Sequence, residues 1–168
     1  MIKSLLPLFI FTLGLSCYAN RTGKTVMNKS NQNIVFDFKV NYDDKKHHSF
    51  EVTASIFNNN TDTVYFLNQS CDGLPSLLVY DNNKFDNFGG INCNIAFPIL
   101  EKIAPKGILD FKTHFRKNKK DKKIKLGIYF YTVHKSFNIN KIDLTSMAQL
   151  ILANQKDIIL WANEKEIK

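Results

Sequence analysis

The fold is decided by residues 49–60, which read SFEVTASIFNNN. Apolar and polar side chains alternate along this stretch, and the apolar set is Phe50, Val52, Ala54 and Ile56. A repeat of two places all four on one face of an extended chain, which is typical of a β-strand with one buried face. The asparagines that follow tolerate left-handed backbone and hydrogen-bond to their own chain, so they predict a turn.

Similar segments lie on both sides of this strand. They are rich in β-branched, aromatic and other apolar residues and cover 33–44, 63–70, 76–88, 108–117, 123–133 and 157–167. With 49–60 they give about seven short strands separated by turn signals, which predicts an all-β fold, an antiparallel β-sandwich of the Ig-like type. We expect the segments 108–117 and 123–133 to pair with each other about the lysine-rich turn between them.

One segment breaks the β pattern. Residues 146–155 read SMAQLILANQ, in which Ser146 is followed three residues later by Gln149. This is the spacing of a capping box at the start of a helix, and an apolar cluster comes directly after it. We therefore expect a short helix before the last strand, covering one open end of the sandwich.

The N-terminus has the order of a secretory signal. A single charge, Lys3, precedes an apolar run from Leu5 to Leu15 and then small residues. This order predicts a signal peptide over 1–19, a flexible segment over 20–33 and the β domain over 34–168. Acylation of Cys17 in a lipoprotein is the alternative, although Gly14 stands three places before it where a lipobox has leucine.

Cys71 and Cys93 remain as a pair when the signal is removed by ordinary cleavage. Export places them in an oxidising compartment, where a disulfide is the default for paired cysteines. Neither NQSCDG nor GINCNIAF supplies a nearby histidine for a catalytic thiol, and the His47-His48 pair fits no zinc-ligand spacing. The disulfide is favoured, with metal binding and redox or catalytic work as the open alternatives.

A family resemblance is carried by four segments. They are VTASIFNNNTDTVYFLNQSC at 52–71, IAPKG at 103–107, KIKLGIYFY at 123–131 and IILWANE at 158–164. In this combination the chain resembles small secreted Ig-like domains of bacterial proteins of uncharacterised function, and it is distantly similar to Ig-like bacterial proteinase-inhibitor domains. The resemblance implies the fold and suggests an inhibitor hypothesis, but it identifies no reactive loop.

The charge of the chain is basic and locally concentrated. The formal net charge is +8, and much of it lies in RKNKKDKKIK at 116–125. We expect residues 117–123 to form an exposed turn whose charge keeps a sheet edge soluble, with contact to an anionic envelope surface as the alternative. A nucleic-acid partner is not expected, because export removes it and no aromatic residue is interleaved with the lysines for base stacking.

The remaining candidate residues favour structural roles. His114 lies in a predicted strand and His134 just beyond one, so both are expected to be ordinary cross-strand partners. No nucleophile turn, phosphate-binding loop or paired-carboxylate site stands out, so we assign no catalytic, cofactor-binding or metal residues. For Trp161 we favour a buried core anchor over an exposed contact to a carbohydrate or protein.

These observations predict an exported, non-enzymatic binding or interaction domain of the bacterial cell envelope. Its partner is an unknown protein or envelope component, and it contacts the membrane only if Cys17 is lipidated. A proteinase-inhibitor or immunity-type protein is the alternative. An inhibitor should present one rigid protruding loop, whereas a binding domain should show a broad apolar or aromatic face.

Overall fold

About half of the described residues lie in β-strands, so the protein is mostly β with one helix. The computed structural model describes residues 33–44, 47–71, 73–89, 96–117 and 121–167. The strands are β1 (Ile34–Asp44), β2 (Ser49–Asn58), β3 (Val64–Gln69), β4 (Leu78–Val79), β5 (Phe85–Asn87), β6 (Pro98–Ile103), β7 (Ile108–Lys117), β8 (Lys123–Ile124), β9 (Gly127–Tyr129), β10 (Thr132–Val133), β11 (Ile159–Trp161) and β12 (Lys165–Glu166). The helix is α1 (Leu144–Ile158), and short 3₁₀ helices cover Leu74–Leu77 and Ile139–Lys141.

These strands form four antiparallel sheets. The largest has the order β1-β2-β7-β5, and two three-stranded sheets have the orders β10-β3-β6 and β11-β9-β4. The fourth pairs β12 with β8. The turn predicted after β2 is present, and it carries the chain out of the first sheet into β3 of another.

The alternation predicted for β2 is confirmed. Its residues are buried and half-buried in strict alternation from Ser49 to Asn58. β1 and β7 flank it on both sides, with Phe38 opposite Ala54 and Thr113 opposite Val52. A strand paired on both edges and buried on one face is fixed in register, because a slip of one residue would turn its apolar side chains to solvent.

One hydrophobic core is shared by all these sheets. At one end the ring of Phe50 stacks on Phe115 with centroids 5.6 Å apart and meets Phe85 edge-on at 6.0 Å. Elsewhere Phe66 of β3 stacks on Phe130 at 4.7 Å. Stacked and edge-on aromatic pairs add stabilisation beyond the apolar area that they bury.

The predicted helix is present, but it begins earlier and has a different cap. Asp143 is the N-cap residue, and its side chain accepts a hydrogen bond from the backbone N–H of Ser146 at 2.7 Å. This hydrogen bond holds the pKa of the Asp143 carboxyl below its usual value. Ser146 is therefore the third helical residue and not the cap. Met147 and Ile151 are buried while Leu152 is exposed, so one stripe of α1 faces the core.

In the described part of the chain, no helix is long and apolar enough to cross a membrane.

Two predictions about strand organisation are wrong. β7 pairs with β2 and β5, and the segment 123–133 does not pair with it. That segment is broken into β8, β9 and β10, because each piece joins a different sheet. The described residues hold twelve strands in place of about seven, since the segments 76–88 and 157–167 are also split and β6 was not predicted. A period of two marks an extended chain but says nothing about which strand lies beside it.

Several predictions fall on residues outside those described. They are the signal peptide over 1–19, the flexible segment up to residue 32, the lipidation candidate Cys17 and the disulfide candidate Cys93. Residues 118–120 of the basic segment are also outside. Of its flanks, Lys122 and Lys123 are exposed as expected, whereas Lys117 is a half-buried strand residue whose Nζ lies 5.9 Å from the ring centroid of Phe50.

Candidate binding surface

Trp161 is exposed, so the prediction that it is a core anchor is wrong. Of its side chain, 49% remains accessible, whereas Ala162 beside it is buried at 5%. The cause is the alternation of β11. Leu160 lies opposite the buried Ile128 and takes the core face, so Trp161 must point to the other face of the sheet.

The indole ring of Trp161 lies over Gly127, its cross-strand partner. A β-carbon on Gly127 would come within 2.8 Å of Cε3 and 3.0 Å of Cδ2 of this ring, distances that real β-carbons do not reach. The same β-carbon would lie 2.9 Å from Cγ2 of Ile159. Glycine is therefore required for the ring to lie close to the backbone, and a strand glycine often marks such a close approach.

The residues around Trp161 form a mixed apolar and basic patch. We call it the Trp161 surface, and it consists of Val79, Lys125, Gly127, Tyr129, Ile159 and Trp161. The registers place Val79 and Trp161 on either side of Gly127, and Ile159 beside Tyr129, all on one face of the β11-β9-β4 sheet. Val79, Tyr129 and Ile159 are half-buried, so Trp161 is the most exposed apolar member.

Lys125 gives this surface its charge. Its Nζ lies 5.0 Å from the centroid of the Trp161 ring, within the range of a cation–π interaction. The neighbouring Lys123 is neutralised by Glu164, with Nζ and Oε2 3.6 Å apart. Among the residues that the structure describes, no carboxylate pairs with Lys125. The surface thus places an aromatic ring beside a cation that has no acidic partner among the described residues.

A second exposed surface is the outer face of the four-stranded sheet. Val35, Phe57 and Ile108 lie side by side across β1, β2 and β7 and form an apolar row. Val35 is 46% exposed and Ile108 58%. The next two rows of this face are polar, so the apolar row is narrow.

The same outer face carries a polar network around Glu51. Its Oε1 accepts hydrogen bonds from Asn41 Nδ2 at 2.6 Å and from Lys112 Nζ at 3.2 Å, and His114 Nε2 lies 3.6 Å from Oε2. The hydrogen bonds from Asn41 and Lys112 lower the pKa of the Glu51 carboxyl from its usual value. His114 is opposite Glu51 in the register, which confirms that it is a cross-strand partner.

The turn after β2 is held by the buried Asn58. This side chain is 0% exposed, and its Nδ2 donates to the carbonyls of Asp62, Ile103 and Ala104 at 2.9–3.1 Å. Its Oδ1 accepts from the backbone N–H of Asn60 at 3.0 Å. An exposed loop at residues 59–63 is thereby fixed to the strands beneath it.

A polar cleft of ≈ 590 Å³ lies beside this loop. It lies where β10 leaves β3, between residues 60–65 and 132–135. His134 is part of its lining, but its Nδ1 is hydrogen-bonded to Ser136 Oγ at 2.7 Å. The cleft is open and its lining is mainly polar, so it differs from the mostly apolar cavities that hold small organic ligands.

The remaining predicted sites are placed as follows. Cys71 lies two residues beyond the end of β3 and is half-buried. Within the described ranges, no group of three or more His, Cys, Asp or Glu side chains is arranged to hold a metal ion.

No family model matches the chain, and a search of curated proteins gives no significant match.

Sequence reasoning missed the pairing of Trp161 with Gly127. The two are 34 positions apart, and only the register of β9 and β11 brings them together. One signal was present: Gly127 interrupts the strand-like segment KIKLGIYFY, and a glycine inside a strand pattern indicates a bulge or a close approach.

Proposed function

We propose that this protein is an exported, non-enzymatic binding domain of the cell envelope and that the Trp161 surface holds its partner. The observation that carries the proposal is the half-exposed Trp161 ring lying over Gly127. Tryptophan is enriched among the residues that dominate binding energy in interfaces, because it offers a large rigid surface at a low entropic cost.

The position of this ring supports binding over stability. Gly127 has no side chain and weakens a strand through its backbone entropy, so a larger residue would serve a purely structural sheet better. Glycine instead lets the largest side chain of the chain rest against the backbone while half of it remains exposed. The fixed backbone beneath the ring limits the motion that a partner would have to freeze, which favours affinity.

For the finer fold we propose an Ig-like sandwich in which the four-stranded sheet faces the β10-β3-β6 sheet. The shared core and the antiparallel order of the long strands support it. An experimental structure in which these two sheets lack a common core would contradict this arrangement.

For the compartment we propose export with cleavage after Ala19 and a disulfide between Cys71 and Cys93. The backbone N–H of Ser70 donates to Phe97 O at 2.9 Å, and the N–H of Phe97 donates to Ser70 Oγ at 3.0 Å. These bonds hold Ser70, the residue before Cys71, against Phe97, which follows Cys93 by four positions, and this proximity supports the pairing. Mass spectrometry of the unreduced exported protein tests both proposals. We expect residue 20 at the N-terminus and a mass lower by two hydrogens than the reduced form, whereas a lipidated Cys17 or two free thiols would contradict them.

The binding function is tested by capture from solubilised envelope material. The full chain and its Trp161→Ala variant are immobilised in equal amounts, and Phe88→Ala serves as the matched control. Phe88 is 48% exposed, much like Trp161, but belongs to another sheet edge. We expect Trp161→Ala to lose the captured component and Phe88→Ala to retain it. Equal capture by all three proteins would refute the role of the Trp161 surface.

The second candidate function is proteinase inhibition through the loop at residues 59–63. The observation that favours it is the anchoring of this exposed loop by Asn58, reinforced by the hydrogen bond from Lys106 Nζ to Asn59 O at 2.6 Å. A rigid exposed loop is what an inhibitor must present to resist cleavage. Residual activity of a panel of proteases, measured with the full chain and with Asn58→Ala, tests this. No inhibition by the wild-type protein would exclude it for those proteases.

A further inference from the structure

We infer that the ligand of the Trp161 surface is an acidic sugar unit of an anionic polysaccharide, an inference that rests on the proposed binding function. The ring of Trp161 would receive one face of the sugar, and Lys125 would receive its carboxylate. Two features of the surface carry this inference, its shape and its charge.

The shape suits a sugar ring. The indole lies over the backbone of Gly127, and its neighbours Val79 and Ile159 are half-buried. The exposed ring of Trp161 is therefore the main apolar contact that this surface offers to a ligand. The face of an aromatic ring carries partial negative charge, so it attracts the weakly positive C–H groups on one face of a pyranose.

The charge selects an acidic sugar. Lys125 Nζ lies 5.0 Å from the Trp161 ring centroid, and in the described part of the chain no carboxylate neutralises it. Because Nζ lies over the ring, Lys125 would swing off the ring face when a sugar stacks on Trp161, and its flexible side chain would then reach the carboxylate of that sugar. The formal net charge of +8 adds long-range attraction for a polyanion and none for a neutral glycan.

The other exposed surfaces give weaker evidence for a ligand. On the outer face of the four-stranded sheet, Glu51 neutralises Lys112, and Asp86 lies opposite Arg116 in the register. The apolar row of Val35, Phe57 and Ile108 has no charge pattern that selects an occupant. At the Trp161 surface, by contrast, an aromatic ring adjoins a cation that no carboxylate pairs with in the part of the chain that the structure describes.

The test is a titration followed by tryptophan fluorescence, because Trp161 is the only tryptophan in the chain. The full chain is titrated with polygalacturonate, with neutral dextran, with polyglutamate and with vesicles containing phosphatidylglycerol. We expect saturable binding of polygalacturonate with a change in emission. Calorimetry gives the affinities of Trp161→Ala and Lys125→Gln, and Lys102→Gln, an exposed lysine of β6, serves as the control.

We expect Trp161→Ala and Lys125→Gln each to weaken polygalacturonate binding about tenfold or more, the scale of a hot-spot contact. Lys125→Gln should also reduce the dependence of affinity on salt, whereas Lys102→Gln should match the wild type. Equal affinity for dextran would overturn the role of charge, equal affinity for polyglutamate would overturn the sugar, and tighter binding to the vesicles would indicate a lipid instead. If none of the four probes binds while envelope capture still requires Trp161, the polysaccharide inference fails and the binding function stands. Capture of envelope material that does not depend on Trp161 would contradict both the polysaccharide inference and the proposed binding function.

Discussion

Phe50 and Trp161 are both aromatic strand residues, but Phe50 is buried and Trp161 is exposed. Phe50 is 1% exposed and packs against Phe115 and Phe85, whereas Trp161 is 49% exposed and lies on a glycine. The first region gains stability by burying aromatic surface, whereas the second forgoes part of that gain and leaves an aromatic ring exposed. The stabilising role and the proposed binding role are thus assigned to different regions, and substitutions should separate them in experiment.

The largest effect is expected for Phe50→Ala. Loss of a fully buried ring leaves a cavity that its stacked neighbour Phe115 cannot fill, so the free energy of unfolding should fall by about 3–5 kcal/mol. Urea unfolding measures this loss. Phe88→Ala removes an exposed ring of the same type and should cost less than about 1 kcal/mol. Similar losses for the two variants would break the contrast between buried and exposed aromatic residues.

Asn58→Ala comes next, because it removes the Nδ2 donor from the carbonyls of Asp62, Ile103 and Ala104, of which Ala104 O still accepts from the backbone N–H of Gly107. Each unsatisfied group costs about 1–3 kcal/mol, and part of this is recovered by water at the exposed end, so we expect a total loss of about 3 kcal/mol. Urea unfolding again provides the measurement, and Asn59→Ala, at an exposed position of the same turn, is its control. A loss below that of the control would show that Asn58 does not hold this turn. The Trp161 surface should be unaffected, with tryptophan emission unchanged.

Gly127→Ala should disturb the Trp161 surface directly. The new β-carbon would come within 2.8 Å of the indole, so the ring must move, at a cost of about 1–3 kcal/mol typical of overpacking. We expect a change in tryptophan emission and a loss of binding even where the protein remains folded. Unchanged emission in a folded Gly127→Ala protein would mean that the ring does not rest on the glycine. Gly107→Ala, whose β-carbon would come within 2.9 Å of the carbonyl oxygen of Ala104, is a control for overpacking away from Trp161: it should cost stability and leave tryptophan emission unchanged.

The smallest effect concerns pH and the exposed face of the sheet that buries Phe50. The pKa of Glu51 is lowered in the folded protein, so its contribution to stability is present above the unfolded pKa near 4.5 and is lost as the pH falls through the folded value. We expect the wild type to exceed Glu51→Gln slightly in unfolding free energy at neutral pH and to match it in acid. A difference that grows as the pH falls would contradict the sign of this shift.

The contrast between the two regions also shows what the sequence could predict. The alternation around Phe50 was sufficient to predict β2, its buried face and the turn at its end, because all three depend on neighbouring residues. The exposure of Trp161 was not predicted, because it depends on which face of β11 meets the core. That choice is made by the pairing of Leu160 with Ile128, a long-range contact without a local signature.

The N-cap of α1 also depends on packing that the local sequence does not reveal. Both Asp143 and Ser146 are good N-cap residues, and the capping-box spacing favoured Ser146. The structure uses Asp143, because Leu144 and Met147 then lie on the stripe of the helix that packs against the core. Local chemistry allowed two starts for this helix, and packing selected one.

The central claim is that Trp161 serves binding and not stability, and one variant tests it most directly. Trp161→Ala is compared with the wild type in urea unfolding and in capture of envelope material, using the same protein preparation. For Trp161→Ala we expect the unfolding free energy to change by about 1 kcal/mol or less and the captured component to be lost. A loss of stability as large as that of Phe50→Ala, with capture unchanged, would contradict it.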